Sequence, residues 1–249
     1  MVHERRGAGK PMNLLLAWCV HVYTAGGAVA AFFGTVAVFE ERYRDAFLWM
    51  IAATVIDATD GVLARRAQVA VRLPQIDGAR LDDIVDYLTF VFVPALLAYR
   101  AGLLPPALDE LVAGAMLLSS AYGFTSADAK TDDYFFTGFP SYWNIVVLYL
   151  YVGVHAGLLT TLVPAVILLL LSAMVFWRVG YVYPSRMPVW RTATVGLGVI
   201  WGTVLLAIVW MLPAVSPRLV LVSLAYPLYY VALSATLQSR RRKPMAVVP

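Results

Sequence analysis

The chain has 249 residues, 61% of them hydrophobic and only 14% charged, a composition that cannot be hidden in one soluble core and excludes an ordinary water-soluble domain. One cysteine, Cys19, excludes an internal disulfide and a thiolate metal cluster, and three histidines leave little for a soft-metal site. The net charge of +4 does not point to nucleic acid, because the Lys and Arg residues gather in particular loops instead of along one solvated face.

Successive apolar runs predict an all-α, polytopic membrane bundle of about eight transmembrane helices, over residues 13–38, 46–64, 80–100, 108–127, 141–155, 159–178, 192–212 and 218–237. The polar start, residues 1–12, leads into an apolar run that continues to Phe39, too long for a signal peptide and therefore read as a retained first span. The fifth and sixth runs are separated by only a few residues, so six or seven spans remain an alternative. An even number puts both termini on one side. Arg5, Arg6 and Lys10 at one end and Arg240, Arg241, Arg242 and Lys243 at the other mark that side as cytoplasmic. Alternate loops agree: Arg65, Arg66, Arg72 and Arg80, then Lys130, then Arg178, Arg186 and Arg191 fall on the same side, and Arg42, Arg44, Arg100 and Arg218 on the other. Residues 1–249 thus read as one membrane domain, with a cytoplasmic N-terminal segment and a basic tail, 238–249, that fixes orientation or meets anionic lipid headgroups.

The informative stretch spans the second and third runs, residues 57–86. On helices, Asp57 and Asp60 stand three residues apart and Asp82 and Asp86 four apart, so each pair projects from one helix face. Acidic groups in membrane spans are costly and mark functional sites, and four together need compensating cations or protons. Hard divalent ions prefer such oxygens. At ~1.5 Å rise per residue, all four lie within about 10 Å of the cytoplasmic end of their spans. Gly61 and Ala64 share the Asp57–Asp60 face and leave a groove for a flat group or a close helix. Arg65 at its end is placed to meet a phosphate or to act as a topology anchor. Metal, arginine and small residues together equip a site for phosphoryl transfer.

The pattern Asp57-x2-Asp60-Gly61-x2-Ala64-Arg65-x12-Gly78-x3-Asp82-x3-Asp86 resembles the signature of the CDP-alcohol phosphotransferases, integral membrane enzymes that displace CMP from a CDP-linked donor with an alcohol. Most members have a shorter gap before the second glycine. The twelve-residue gap here, the opening run from Asn13 through Trp18, His21, Thr24 and Gly26, and the overall length are similar to the bacterial phosphatidylcholine synthases. The resemblance implies that Asp57, Asp60 and Asp82 hold one or two divalent metals, Mn2+ or Mg2+ with Ca2+ as a further option, against the diphosphate of CDP-diacylglycerol. It implies Asp86 as a metal-proximal ligand or general base, Gly61, Ala64 and Gly78 lining the cytidine and phosphate groove, and Arg65 on the diphosphate. It also implies a homodimer in the bacterial inner membrane, among membrane lipids, converting CDP-diacylglycerol and choline to CMP and phospholipid. Asp83 lies outside the pattern, about 100° around the helix from Asp82.

A choline pocket calls for aromatic faces without cationic donors. The segment Tyr134–Asn144 enters the fifth span at the depth of the carboxylates, which makes Tyr142, Trp143 and Asn144 candidates. His21 is either a helix–helix hydrogen bond or a substrate contact. Tyr181, Tyr183 and Arg186 in the sixth loop are positioned to close over the site, with Arg186 meeting phosphate or serving as an ordinary loop cation. A phosphatidylserine synthase, or a relative with another acceptor, is the alternative enzyme. A cation transporter with an acidic intramembrane site is the alternative of another class, but it calls for an internal repeat that the sequence does not show.

Overall fold

A computed structural model describes residues 11–241 except 128, 130, 132 and 185. The N-terminal residues Arg5, Arg6 and Lys10, the tail residues Arg242 and Lys243, and the loop residue Lys130 lie outside the described residues.

The molecule is built on a long antiparallel pair, α1 (Pro11–Phe39) and α2 (Tyr43–Arg66). Their facing surfaces carry small buried residues, Ala30, Ala31 and Ala37 on α1 and Ala46 and Ala53 on α2, which let the two backbones approach closely, as helices in a membrane must to gain packing energy. After α2 the chain makes one short turn of helix, α3 (Val69–Arg72), whose Val69 packs with Leu73 and Ala17 in a small cluster that anchors the reversal.

The third rod starts at α4 (Gly78–Asp86), where the side chain of Asp77 caps the helix by accepting from the Arg80 backbone N–H at 3.1 Å. It continues through a π-helical segment, Tyr87–Phe92, into α5 (Val93–Arg100). Pro94 supplies the reason for the wider turn: it has no N–H to give the Phe90 carbonyl and its ring crowds that oxygen. The rod lies hard against α1, where a side-chain carbon at Gly27 would collide with Val85.

The remaining elements are α6 (Asp109–Thr125), β1 (Phe135–Thr137), α7 (Trp143–His155), α8 (Leu162–Val175), β2 (Gly180–Val182), α9 (Arg191–Trp210), α10 (Pro217–Ser223) and α11 (Ala225–Arg241). The last two form one rod broken at Leu224, because Pro227 cannot donate to the Ser223 carbonyl. Fully buried Phe47, Leu97, Met116, Trp143, Leu168 and Ile208 mark a common core shared by α2, α5, α6, α7, α8 and α9.

The protein is mainly helical, and helices occupy every run that the hydropathy pattern singled out, with the third and eighth runs interrupted as described. Four helical rods are long and apolar enough to cross a membrane: Asn13–Phe39, Tyr43–Arg66, Arg191–Trp210 and Pro217–Arg241. Two shorter helices, α7 and α8, are also apolar. Large apolar side chains such as Leu15, Phe32, Leu170, Ile200, Trp210 and Leu228 stand exposed around the outside, as a lipid-facing surface requires.

One departure from an all-α fold concerns the fourth and sixth loops. β1 and β2 pair antiparallel, with Phe136 opposite Tyr181, and join two loops that the sequence reading treated as separate. Gly138, at φ +81, ends the first strand; its N–H donates to the Val179 carbonyl at 2.8 Å, and a side chain there would strike the Val175 carbonyl oxygen. The ribbon is fastened to α11: Ser234 Oγ accepts from the Val182 N–H at 3.2 Å, Tyr230 donates to the Val182 carbonyl at 3.0 Å, and Arg241 pairs with Asp133 at 2.6 Å.

Candidate active site

Helix α2 presents Asp57 and Asp60, and α4 presents Asp82 and Asp86, because the reversal through α3 lays the start of α4 beside the end of α2. One carboxylate oxygen from each of Asp57, Asp82 and Asp86 lies within 4.8 Å of the others, and none of the three residues is buried. Oxygens that share a hard divalent cation at about 2.0–2.6 Å are at most about 4–5 Å apart, so these three residues fit such an ion.

Asp60 stands behind this trio. It is only 7% exposed, and its Oδ2 accepts from Thr24 Oγ1 on α1 at 2.9 Å. One residue earlier on each helix, the Tyr23 and Thr59 hydroxyls are 2.8 Å apart. In the sequence Thr24 stands out only within the opening run; its contact with Asp60 is set by how α1 packs on α2.

Asp57, Asp60 and Asp82 line the polar end of a cavity of about 1050 Å³, together with Gly61, Arg65 and Arg186. Arg65 folds back over Gly61, where a Cβ would sit 3.3 Å from Nη1 of the guanidinium; the missing side chain is what lets the cation lie along the helix there. Tyr134 and Tyr183 complete the mouth. The ribbon holds them in place through the Tyr183 N–H, which donates to the Tyr134 carbonyl at 2.9 Å. Arg186 sits 6.0 Å from the Tyr183 ring centroid, and that ring packs on Phe136. Asn144 also lines the cavity, with Nδ2 donating to Thr54 Oγ1 at 3.1 Å and Oδ1 accepting from the Ile145 N–H at 2.9 Å, which satisfies a buried amide.

Other expected site residues do not form its wall. Asp86 belongs to the carboxylate trio, just outside the cavity lining. Ala64 packs into the small cluster of Ala17, Val69 and Leu73, so its size serves helix packing. Gly78, at the start of α4, lies against His21, with a Cβ position 3.4 Å from His21 Cε1. His21 is 7% exposed, and its Nε2 has no hydrogen-bond partner among the described residues. Tyr142 packs edge-on to Tyr230 at 6.3 Å. Trp143 is not brought to the cavity at all: it is fully buried, donates from Nε1 to Ser120 Oγ at 2.7 Å and packs on Phe139. An aromatic residue beside a polar segment reads as a ligand contact in sequence, but the first turn of α7 points Trp143 into the core.

The sequence reading gave no role to α9. In the structure Val195, Gly198, Gly202, Leu205 and Val209 of this helix form one long wall of the cavity, facing Phe47, Met50 and Ile51 of α2.

No family model matches the chain. Curated relatives do. A phosphatidylcholine synthase from Legionella pneumophila is 45% identical over 173 residues, 69% of this chain and 66% of that protein. One from Rhizobium meliloti is 35% identical over 192 residues, covering 77% of this chain and 78% of the relative, and one from Pseudomonas aeruginosa is 35% identical over 194 residues, covering 77% and 79%.

Proposed function

The chain belongs to the phosphatidylcholine synthase family, and on that premise we propose that it transfers the phosphatidyl group of CDP-diacylglycerol to choline and releases CMP. The observation that carries the reading is the convergence of Asp57, Asp82 and Asp86, the first two of which line the polar end of a cavity whose other end is apolar. Such a cavity suits a substrate with a charged head and hydrocarbon tails.

Asp57, Asp82 and Asp86 would hold the cation, with Asp60 completing the acidic set behind them. A bound Mn2+ or Mg2+, or Ca2+, supplies charge neutralisation at the donor diphosphate. Arg65 and Arg186 bind that diphosphate from the cavity wall. Asp86 takes the proton of the choline hydroxyl, the alcohol oxygen forms its bond to the phosphatidyl phosphorus, and the bond from that phosphorus to the CMP oxygen breaks. Tyr183, with its ring at the mouth, offers an aromatic face to the quaternary ammonium, and Asn144 lines the same cavity from the start of α7. Eight membrane spans are supported by the positions of the helical rods, and a cytoplasmic site by the basic loops at its end. The inner membrane and a homodimer rest on the family resemblance alone.

The test is a transferase assay with purified protein in detergent, CDP-diacylglycerol and a divalent metal, offering labelled choline, serine, glycerol 3-phosphate and inositol separately. Metal-dependent CMP release with choline is expected. Release only with another alcohol would overturn the acceptor, and release with none would overturn the enzyme.

A further inference from the structure

The rod made by α4, the π segment and α5 packs along α1 through two valines set against two glycines. A Cβ built at Gly27 would lie 3.9 Å from Val85 Cβ, and one built at Gly34 would lie 3.3 Å from Val93 Cγ1. Both valines are buried, Val93 completely. The glycines are seven residues apart and the valines eight. Seven residues of α-helix come back to within about 20° of the same face, whereas eight overshoot it by about 80°. One residue of the rod is therefore surplus to the match.

The π segment, Tyr87–Phe92, lies between the two valines and takes up that residue, since bonds reaching five residues back instead of four make room for one more in the turn. The Val93 N–H bonds the Leu88 carbonyl in this way. Pro94 removes a bond that would favour the narrower register, having no N–H for the Phe90 carbonyl. Thr89, 3% exposed, adds a donor from its hydroxyl to the Val85 carbonyl at 3.0 Å. The acids of α4 lie on the far side of this adjustment from the core-bound α5. A straight α-helix running back from Val93 would arrive at α4 turned by about 100°. Asp83 would then stand where Asp82 does, and Tyr87 where Asp86 does.

We propose that the π segment is the positioning element of the acidic centre: by taking up one residue between Val85 and Val93 it turns Asp82 and Asp86 to meet Asp57, with oxygens of all three within 4.8 Å of one another. The inference rests on those three carboxylates holding the cation, as argued above. It also accounts for Asp82 and Asp86 joining Asp57 while their neighbour Asp83 stays outside the trio.

The test changes the length of the segment and reads the phase of α4 without turnover. In a Cys19→Ser background, Gly27→Cys with Val85→Cys makes a disulfide ruler, because Cβ atoms 3.9 Å apart lie within the span of such a bond. Three purified chains carry it. One has the natural length. One lacks Phe92, a side chain 40% exposed, and carries Pro94→Ala to supply the missing N–H. One has an alanine inserted between Phe92 and Val93. Mn2+ binding is followed by electron paramagnetic resonance in the same three lengths without the paired cysteines. The shortened chain should crosslink and keep its Mn2+ affinity within about threefold of the natural length. The lengthened chain should lose the crosslink and bind Mn2+ at least about tenfold more weakly, with two of three carboxylates turned away.

A segment needed only for packing would suffer equally from losing a residue and from gaining one. Loss of crosslink and Mn2+ in a folded shortened chain, or their survival in the lengthened one, therefore overturns the proposal. A second measurement leaves the length alone and decides the matter whether or not the shortened chain folds. Gly34→Cys with Val93→Cys and Gly27→Cys with Val85→Cys should each crosslink at natural length, eight residues opposite seven, and failure of either pair overturns the proposal. A chain that crosslinks through both pairs and binds no Mn2+ refutes the metal site beneath the inference, and not the phase of α4.

Discussion

Thr24 on α1 and Asp60 on α2 are joined by a 2.9 Å hydrogen bond between two side chains that are each 7% exposed. A buried carboxylate that loses one of its donors recovers less of its desolvation cost, and hydrogen bonds to charged groups are worth about 1.5–3 kcal/mol. Thr24→Val keeps shape and removes only the hydroxyl, so it should lower stability by about that amount in thermal or denaturant unfolding. Transfer activity should fall with it, because Asp60 lines the same cavity as Asp57 and Asp82. Full stability in Thr24→Val would show that the bond contributes nothing net.

The roles proposed for Asp57 as metal ligand and Asp86 as base make different kinetic predictions. Asp57→Asn removes one of three converging oxygens and should shift the metal concentration for half-maximal activity upward by an order of magnitude or more. Asp86→Asn should reduce kcat by about 10²–10⁴-fold, the usual contribution of a positioned base, and added metal should not restore it. Recovery of Asp86→Asn at high metal would reassign Asp86 to ligation alone.

Gly61→Ala tests whether this glycine exists for the groove or for the helix. Alanine favours a helix over glycine by about 1 kcal/mol, yet its Cβ would press on the Arg65 guanidinium from 3.3 Å. The variant should be at least as stable as the wild type in thermal unfolding, with a KM for CDP-diacylglycerol raised about fivefold, equivalent to weakening one charged contact by about 1 kcal/mol. A variant with unchanged KM would detach Arg65 from donor binding.

Trp143→Phe separates a core residue from a substrate contact. Loss of the indole donor leaves the buried hydroxyl of Ser120 with one partner fewer, Ser141 Oγ at 3.0 Å remaining. Stability should drop by about 1–3 kcal/mol in a melt, with KM for choline unaltered. A selective rise in choline KM would return Trp143 to the acceptor site.

Periodicity and spacing made the helical framework and the acidic centre readable. Asp57, Asp60, Asp82 and Asp86 declare themselves because carboxylates one turn apart have no bland reason to sit on apolar helices. What stayed hidden depends on tertiary geometry. The Thr24 hydroxyl could as well have bonded its own helix, as Thr54 does to the Met50 carbonyl at 2.9 Å. Strands of three residues, such as β1 and β2, are too short to show an alternating pattern. The wall formed by α9 is written in glycines and aliphatics that any membrane helix carries. Trp143 misled for the opposite reason, since aromatic character in sequence does not say which way a ring points.

The fastening of the β ribbon to α11 has a consequence for the order in which a growing chain is assembled. All four acids are made by residue 86, whereas β2 arrives at Gly180–Val182 and its anchors Tyr230, Ser234 and Arg241 only near the end of the described chain. During synthesis the four acids therefore leave the ribosome well before Tyr230, Ser234 and Arg241, so the doorway takes its anchored form only once α11 has been made.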